Sequence, residues 1–156
     1  MQRGGAVSLL AVIARVVLAD SPLVEISRLV DWAPIERELE PLRAAMDRRR
    51  GGPAPYSPAA MFRATLLQGW YLLSFPELAQ ATRLRLDFQV FAGFETGFPV
   101  PSASSFCRAR KRLEKRGKRN RCLKIVETQL KAAGITVIPA AGAVREIRIE
   151  RLNRNK

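Results

Sequence analysis

From residue 24 onward, apolar residues return every three or four positions, the spacing of helices that bury one face. Asp31 stands where it can cap a helix that turns Trp32, Ile35, Leu39 and Leu42 inward. Pro34 falls in the first turn, where a missing N–H costs little, but Pro41 comes late and predicts a bend or a stop. The Gly- and Pro-rich stretch 47–56 breaks the pattern. Its Arg48, Arg49 and Arg50 read equally well as phosphate contacts or as a solvated loop.

Ser57 and Pro58 open the next helix as N-cap and first helical residue. Met61, Ala64, Leu67 and Tyr71, flanked by Phe62, Leu66 and Trp70, give it a wide apolar face, which predicts a central place in the core. These aromatics read as core rather than as a base-stacking surface. Ser74 and Glu77 form a capping box for a helix carrying Leu78 and Ala81. A short helical piece, LDFQVFAGF, turns Phe88 and Phe91 inward and ends at Gly93. Pro99 and Pro101 then hold the chain extended. Ser102 or Ser104 starts a helix to about Arg116, broken by Gly117. A last helix spans about Asn120 to Ala133, with Leu123, Val126, Leu130 and Ala133 on one side and Gly134 as its cap. ITVIPA and AVREIRI after it read as short β stretches.

Charge changes this picture most. The chain of 156 residues carries 27 Lys and Arg against 14 Asp and Glu, a net +13. Residues 1–100 hold 11 basic and 10 acidic groups, whereas residues 101–156 hold 16 basic and 4 acidic. A near-neutral body with one cationic third is the footprint of a polyanion binder rather than of a merely solvated surface. The length allows a full core without a metal or a disulfide. Cys107 and Cys122 read as small buried hydrophobes, since two thiols and no histidine cannot complete a zinc site. The lack of His also excludes Ser–His and Cys–His nucleophile pairs.

The run AVSLLAVIARVVLA near the N-terminus has some features of a secretory signal, but Arg15 interrupts it and it is too short to span a bilayer. An N-terminal helix or an extension is the reading adopted.

The cations concentrate in SSFCRARKRLEKRGKRNR. Phe106, Ala109 or Arg110, and Leu113 share one helical face; Arg108, Lys111, Arg112 and Lys115 share another at i, i+3, i+4 and i+7. From Arg108 to Lys124 there are ten basic residues and one acid, Glu114. Like charges at this spacing cost a few tenths of a kcal/mol per pair, roughly, in an isolated helix. An anionic partner offsets that repulsion. Duplex DNA fits, because a helix enters its major groove and flanking cations meet phosphate. Lipid fits less well, because the opposite face is narrow and used for the core. The candidate DNA contacts are Arg108, Lys111, Arg112 and Lys115, flanked by Arg110, Arg116, Lys118, Arg119 and Arg121. The capped helix near 74–83 followed by the basic helix is a loose helix-turn-helix variant with a long connector.

Five segments in order carry a family resemblance: LVDWAPIERELEPL, YSPAAMFRATLLQGWYLLSFPELAQA, LDFQVFAGF, FPVPSASSFCRARKRLEK and LKAAGITVIPAAGAV. Over residues 24–144 the chain resembles the N-terminal domain of InsH-like insertion-sequence transposases of the DDE class. The resemblance implies a helical domain that helps recognise element ends. It also implies a following RNase-H-like domain whose Asp, Asp and Glu bind two divalent Mg ions. The family's first catalytic Asp follows a strand matching Gly142-Ala143-Val144-Arg145, and here that place holds Glu146. The remaining ligands of such a site have no counterpart in IRIERLNRNK. Glu146 and Glu150 therefore read as surface charge.

The expectation is a mainly α fold: a helical bundle with a helix-turn-helix-like basic helix and a short, incomplete β segment. Residues 1–23 form an apolar extension, 24–134 the DNA-binding domain, and 135–156 the start of an RNase-H-like domain as a loose basic tail. The expected protein is a truncated transposase that binds the terminal inverted repeats of double-stranded DNA. It acts in the cytoplasm at the nucleoid, needs no cofactor of its own, does no strand transfer and does not enter a membrane. A second copy or a full-length transposase is the expected protein partner. The alternatives are a regulatory fragment acting in trans and a non-functional remnant with an unpaired strand edge.

Overall fold

A computed structural model of the chain describes residues 18–47, 56–141 and 146–152, together with positions 12, 15 and 16. The Arg48–Arg50 cluster, the strand-like segment 142–145 and most of the N-terminal apolar run lie outside the described residues. The described chain is mainly helical and closes with a small antiparallel sheet. The helices are α1 (Pro22–Leu29), α2 (Ala33–Asp47), α3 (Pro58–Tyr71), α4 (Phe75–Leu84), α5 (Leu86–Ala92), α6 (Ala103–Glu114) and α7 (Lys118–Ala132). A 3-10 turn, Lys115–Gly117, joins α6 to α7. The strands are β1 (Ile135–Ile138) and β2 (Arg148–Arg151).

The caps act where their residue types predict. Asp31 Oδ1 accepts from the Ala33 N–H at 3.0 Å, and Ser57 Oγ from Ala60 N–H at 3.1 Å. Ser74 and Glu77 close both bonds of the capping box, at 3.3 and 2.8 Å. Each satisfies amides that a helix start leaves open.

α3 is buried along most of its length, including Met61, Phe62, Ala64, Leu66, Leu67 and Tyr71. It packs against α2, α4, α5 and α6, so the core is built around it. Edge-on ring contacts knit that core: Tyr71 with Phe88 at 4.7 Å and Trp32 with Phe91 at 5.8 Å. Leu18 and Leu23 are buried too, so the core draws on residues either side of position 23.

Two local expectations change. Pro41 does not end α2, which continues to Asp47. Its missing N–H would have bonded the Arg37 carbonyl, and both residues are exposed, so the lost bond falls on the solvent side of the helix. α6 stops at Glu114 rather than Arg116, because Lys115 is extended and Arg116 is left-handed, at φ 58°.

The β segment is not left open within the described residues. β1 pairs with β2 in register Ile135↔Arg151 to Ile138↔Arg148. Ile135 and Ile147 are buried, Ala140 N–H donates to the Trp70 carbonyl at 2.8 Å, and Arg151 pairs with Glu25 of α1 at 2.9 Å. Residues 135–152, where described, are therefore tied to the bundle instead of hanging as a tail, because their alternating apolar side chains complete the core.

Candidate nucleic-acid interface

α6 begins at Ser102, whose Oγ accepts from the Ser105 N–H at 3.2 Å. Phe106, Ala109 and Leu113 are buried, at i, i+3 and i+7, and seat α6 on α3 and α4. Ala109 rather than Arg110 thus completes the inward stripe. Lys111 and Arg112 fall in the last turn, where helix carbonyls favour positive charge.

The nine candidate cations divide into two sets. Arg108, Lys111, Arg112, Lys115 and Arg116 are exposed and make no ion pair among the described residues. Arg108 donates to Ser105 Oγ, at 3.4 Å. Lys115 stands in the turn, one residue past the end of α6, so three of the expected four cations share the helical face proper.

Three of the other four, Arg110, Lys118 and Arg121, are engaged by the protein. Arg110 is half-buried, donating to Gln68 Oε1 on α3 at 3.0 Å and to Glu114 at 2.8 Å. Lys118 Nζ donates to the Glu38 carbonyl at 3.1 Å and lies 3.7 Å from its carboxylate. Arg121 Nε donates to the same carboxylate at 2.7 Å, and its Nη1 to the Arg116 carbonyl at 2.7 Å. These contacts hold the Glu38 carboxyl below its usual range, with the Arg121 hydrogen bond the largest cause and partial burial opposing it. Arg119 is half-buried, and its Nε has no hydrogen-bond partner. Burial, and then the nearby Arg110, lower its affinity for a proton.

The corner between α6 and α7 needs two successive left-handed residues, Arg116 (φ 58°) and Gly117 (φ 67°). Gly117 takes this conformation freely; Arg116 does so at a cost. Glu38 and Gln68 were not among the residues that the sequence singled out. Each lies far along the chain from its cation, and no local spacing connects them.

The remaining candidates are quieter. Both cysteines are free; Cys122 is buried, which pushes its thiol up to about 11, while Cys107 is half-buried rather than fully enclosed. Glu146 pairs with Arg85 at 3.1 Å, and Arg85 also holds Asp87 at 2.8 Å. Among the described residues no three His, Cys, Asp or Glu side chains gather as a metal site would require. No described helix is long and apolar enough to cross a membrane.

Fold and surface together define a helical bundle that displays, among the described residues, a row of cations without ion pairs on a helix anchored in its core. The chain belongs to the transposase domain family (DUF772), whose model matches residues 11–112, and its role is accordingly related to transposition. The match takes in α1 to α5 and α6 as far as Arg112, so Arg108, Arg110, Lys111 and Arg112 lie inside it. No curated protein and no solved structure matches the chain.

Proposed function

We propose that this chain binds duplex DNA at the ends of an insertion element, as the recognition part of DNA transposition. The observation that carries this reading is the outer face of α6. Arg108, Lys111 and Arg112 stand exposed beside Lys115 and Arg116, while neighbouring cations are held by the protein's own oxygens. A carboxylate within reach would have relieved their mutual repulsion, as Glu38 does for Lys118 and Arg121. A phosphate backbone supplies that relief along a line, and the arginine forks suit phosphate oxygens and guanine edges. The family's link to transposition supports duplex DNA as the fitting polyanion, and the reading puts the action at the nucleoid.

The role proposed is recognition without strand transfer. Glu146, which stands where the resemblance puts a metal-binding Asp, is tied to Arg85, and this supports a structural use for it. The divalent Mg chemistry of a DDE transposase would then belong to a full-length partner bound at the same ends.

The test is a salt-dependent titration of the purified chain against two duplexes, one copied from the terminal inverted repeat and one scrambled. Five outward cations predict a fall of log K with log salt at a slope of about −4.5. Preference for the repeat is the expected result. Replacing Arg108, Lys111, Arg112 and Lys115 together by Ala should lower affinity about a hundredfold or more while helicity is unchanged. Unchanged affinity in that variant overturns the assignment.

A further inference from the structure

We infer that Glu38 is a specificity-determining residue, which withholds Lys118 and Arg121 from DNA and confines phosphate contact to α6 and its turn. The inference rests on the DNA-binding reading and extends it to a residue on a different helix.

Glu38 lies on α2, which packs against α7. Its carboxylate faces both cations. Oε1 is 2.7 Å from Arg121 Nε and 3.7 Å from Lys118 Nζ, and Arg121 also reaches the Arg116 carbonyl at 2.7 Å. Lys118 is largely covered, with 16% of its side chain exposed, and Glu38 has 27% exposed. The Lys118–Glu38 pair is therefore screened less than one on open surface, while Arg121, with 52% of its side chain exposed, is held by its two hydrogen bonds at 2.7 Å. These two cations therefore already have their counter-charge before DNA arrives. In the adjoining turn, Lys115 and Arg116 have no ion-pair partner among the described residues.

The consequence is a division of labour within one basic run. Sequence-independent affinity rises with every phosphate neutralised, whereas base contacts carry the discrimination. A protein that let all its cations reach phosphate would bind any duplex tightly. Pairing two of them internally lowers the sequence-independent part and leaves α6 to set the preference. The same pairing fixes the Arg116 carbonyl and hence the corner from which α6 projects.

The experiment compares the wild type with Glu38→Gln on the terminal-repeat duplex and on a duplex of random sequence. Gln keeps the shape and one acceptor but releases the charge. Expected is a steeper salt slope on random duplex, by up to about two units. Affinity should gain about tenfold near 0.1 M salt for each cation freed. The ratio of repeat to random binding should fall. Adding Lys118→Ala and Arg121→Ala to Glu38→Gln should return the slope to the wild-type value. Circular dichroism and a melting curve establish that each variant is folded. A second variant needs no loss of the carboxylate: Lys118→Ala with Arg121→Ala in the wild type should leave the random-duplex slope unchanged. A shallower slope there means that both cations already touch phosphate, and overturns the inference. So does an unchanged slope in folded Glu38→Gln. If the wild type binds neither duplex, the DNA-binding reading itself fails; if binding depends on α6 but ignores Glu38, only this inference fails.

Discussion

The cationic run has two halves that meet at Arg116, and the fold treats them in opposite ways. On the α6 side, Arg108, Lys111 and Arg112 face outward with no carboxylate paired to them among the described residues. On the α7 side, Lys118 and Arg121 fold back onto Glu38 of α2. The residue types are the same and the spacing is similar. What differs is the neighbour: α6 meets the bundle through its apolar stripe and Arg110, which finds the neutral Gln68, whereas the first turn of α7 lies against a helix that offers an acid. Clustered charge in a sequence therefore sets an upper limit on the polyanion contact, and internal carboxylates subtract from it.

The comparison breaks most completely if α6 loses its anchor. Phe106 is buried at 1% exposure and lies 6.3 Å from the Phe94 ring. Phe106→Ala should destabilise the chain by about 3–5 kcal/mol, from lost transfer energy and the cavity left behind. Urea denaturation of the two proteins measures it. A loss under about 1 kcal/mol would show that α6 is not held by the core, and its outward face would then not be a fixed display.

Much of this arrangement was legible in the residues themselves. Ser57-Pro58 and the Ser74–Glu77 box marked helix starts that the structure keeps, because caps act within one turn of chain. The inward stripe of Phe106 and Leu113 followed from helical spacing alone. What spacing does not carry is contact between distant segments. Arg110 reaches Gln68, and Lys118 reaches Glu38 80 residues away, so two cations read as DNA contacts serve the fold. Pro41 left a bend or a stop open, and the helix does not stop there: Pro41 and Arg37 are both exposed, so the lost backbone bond falls on the solvent side. The pairing of β1 with β2 was hidden because alternation marks a strand without naming its partner.

A smaller effect sharpens the boundary between the halves. Gly117 holds φ 67°, and an added Cβ would meet Arg121 Nη1 only at 3.4 Å. The cost of Gly117→Ala is therefore mainly backbone conformation, about 1–2 kcal/mol. Its Tm should fall accordingly. A neutral result would mean that the corner between α6 and α7 does not require a left-handed residue there.

The smallest effect isolates the inward half by its response to acid. The Arg121 hydrogen bond is the main reason why Glu38's carboxyl is held low, with Lys118 adding to it and burial opposing. A lowered value means that the folded chain binds this proton more weakly than the unfolded chain, so acid favours unfolding. The stability that Glu38 contributes is thus complete above the usual carboxylate range, about 4.3 for an unperturbed Glu, and is lost as pH falls through the lowered value. Melting curves of wild type and Glu38→Gln should differ at neutral pH and converge in acid. Lys111→Ala, which removes an outward cation with no acid partner, should follow the wild-type pH dependence throughout. A difference between wild type and Glu38→Gln that widened in acid would show that the carboxylate is a burden to the fold, and the contrast between the two halves would lose its cause.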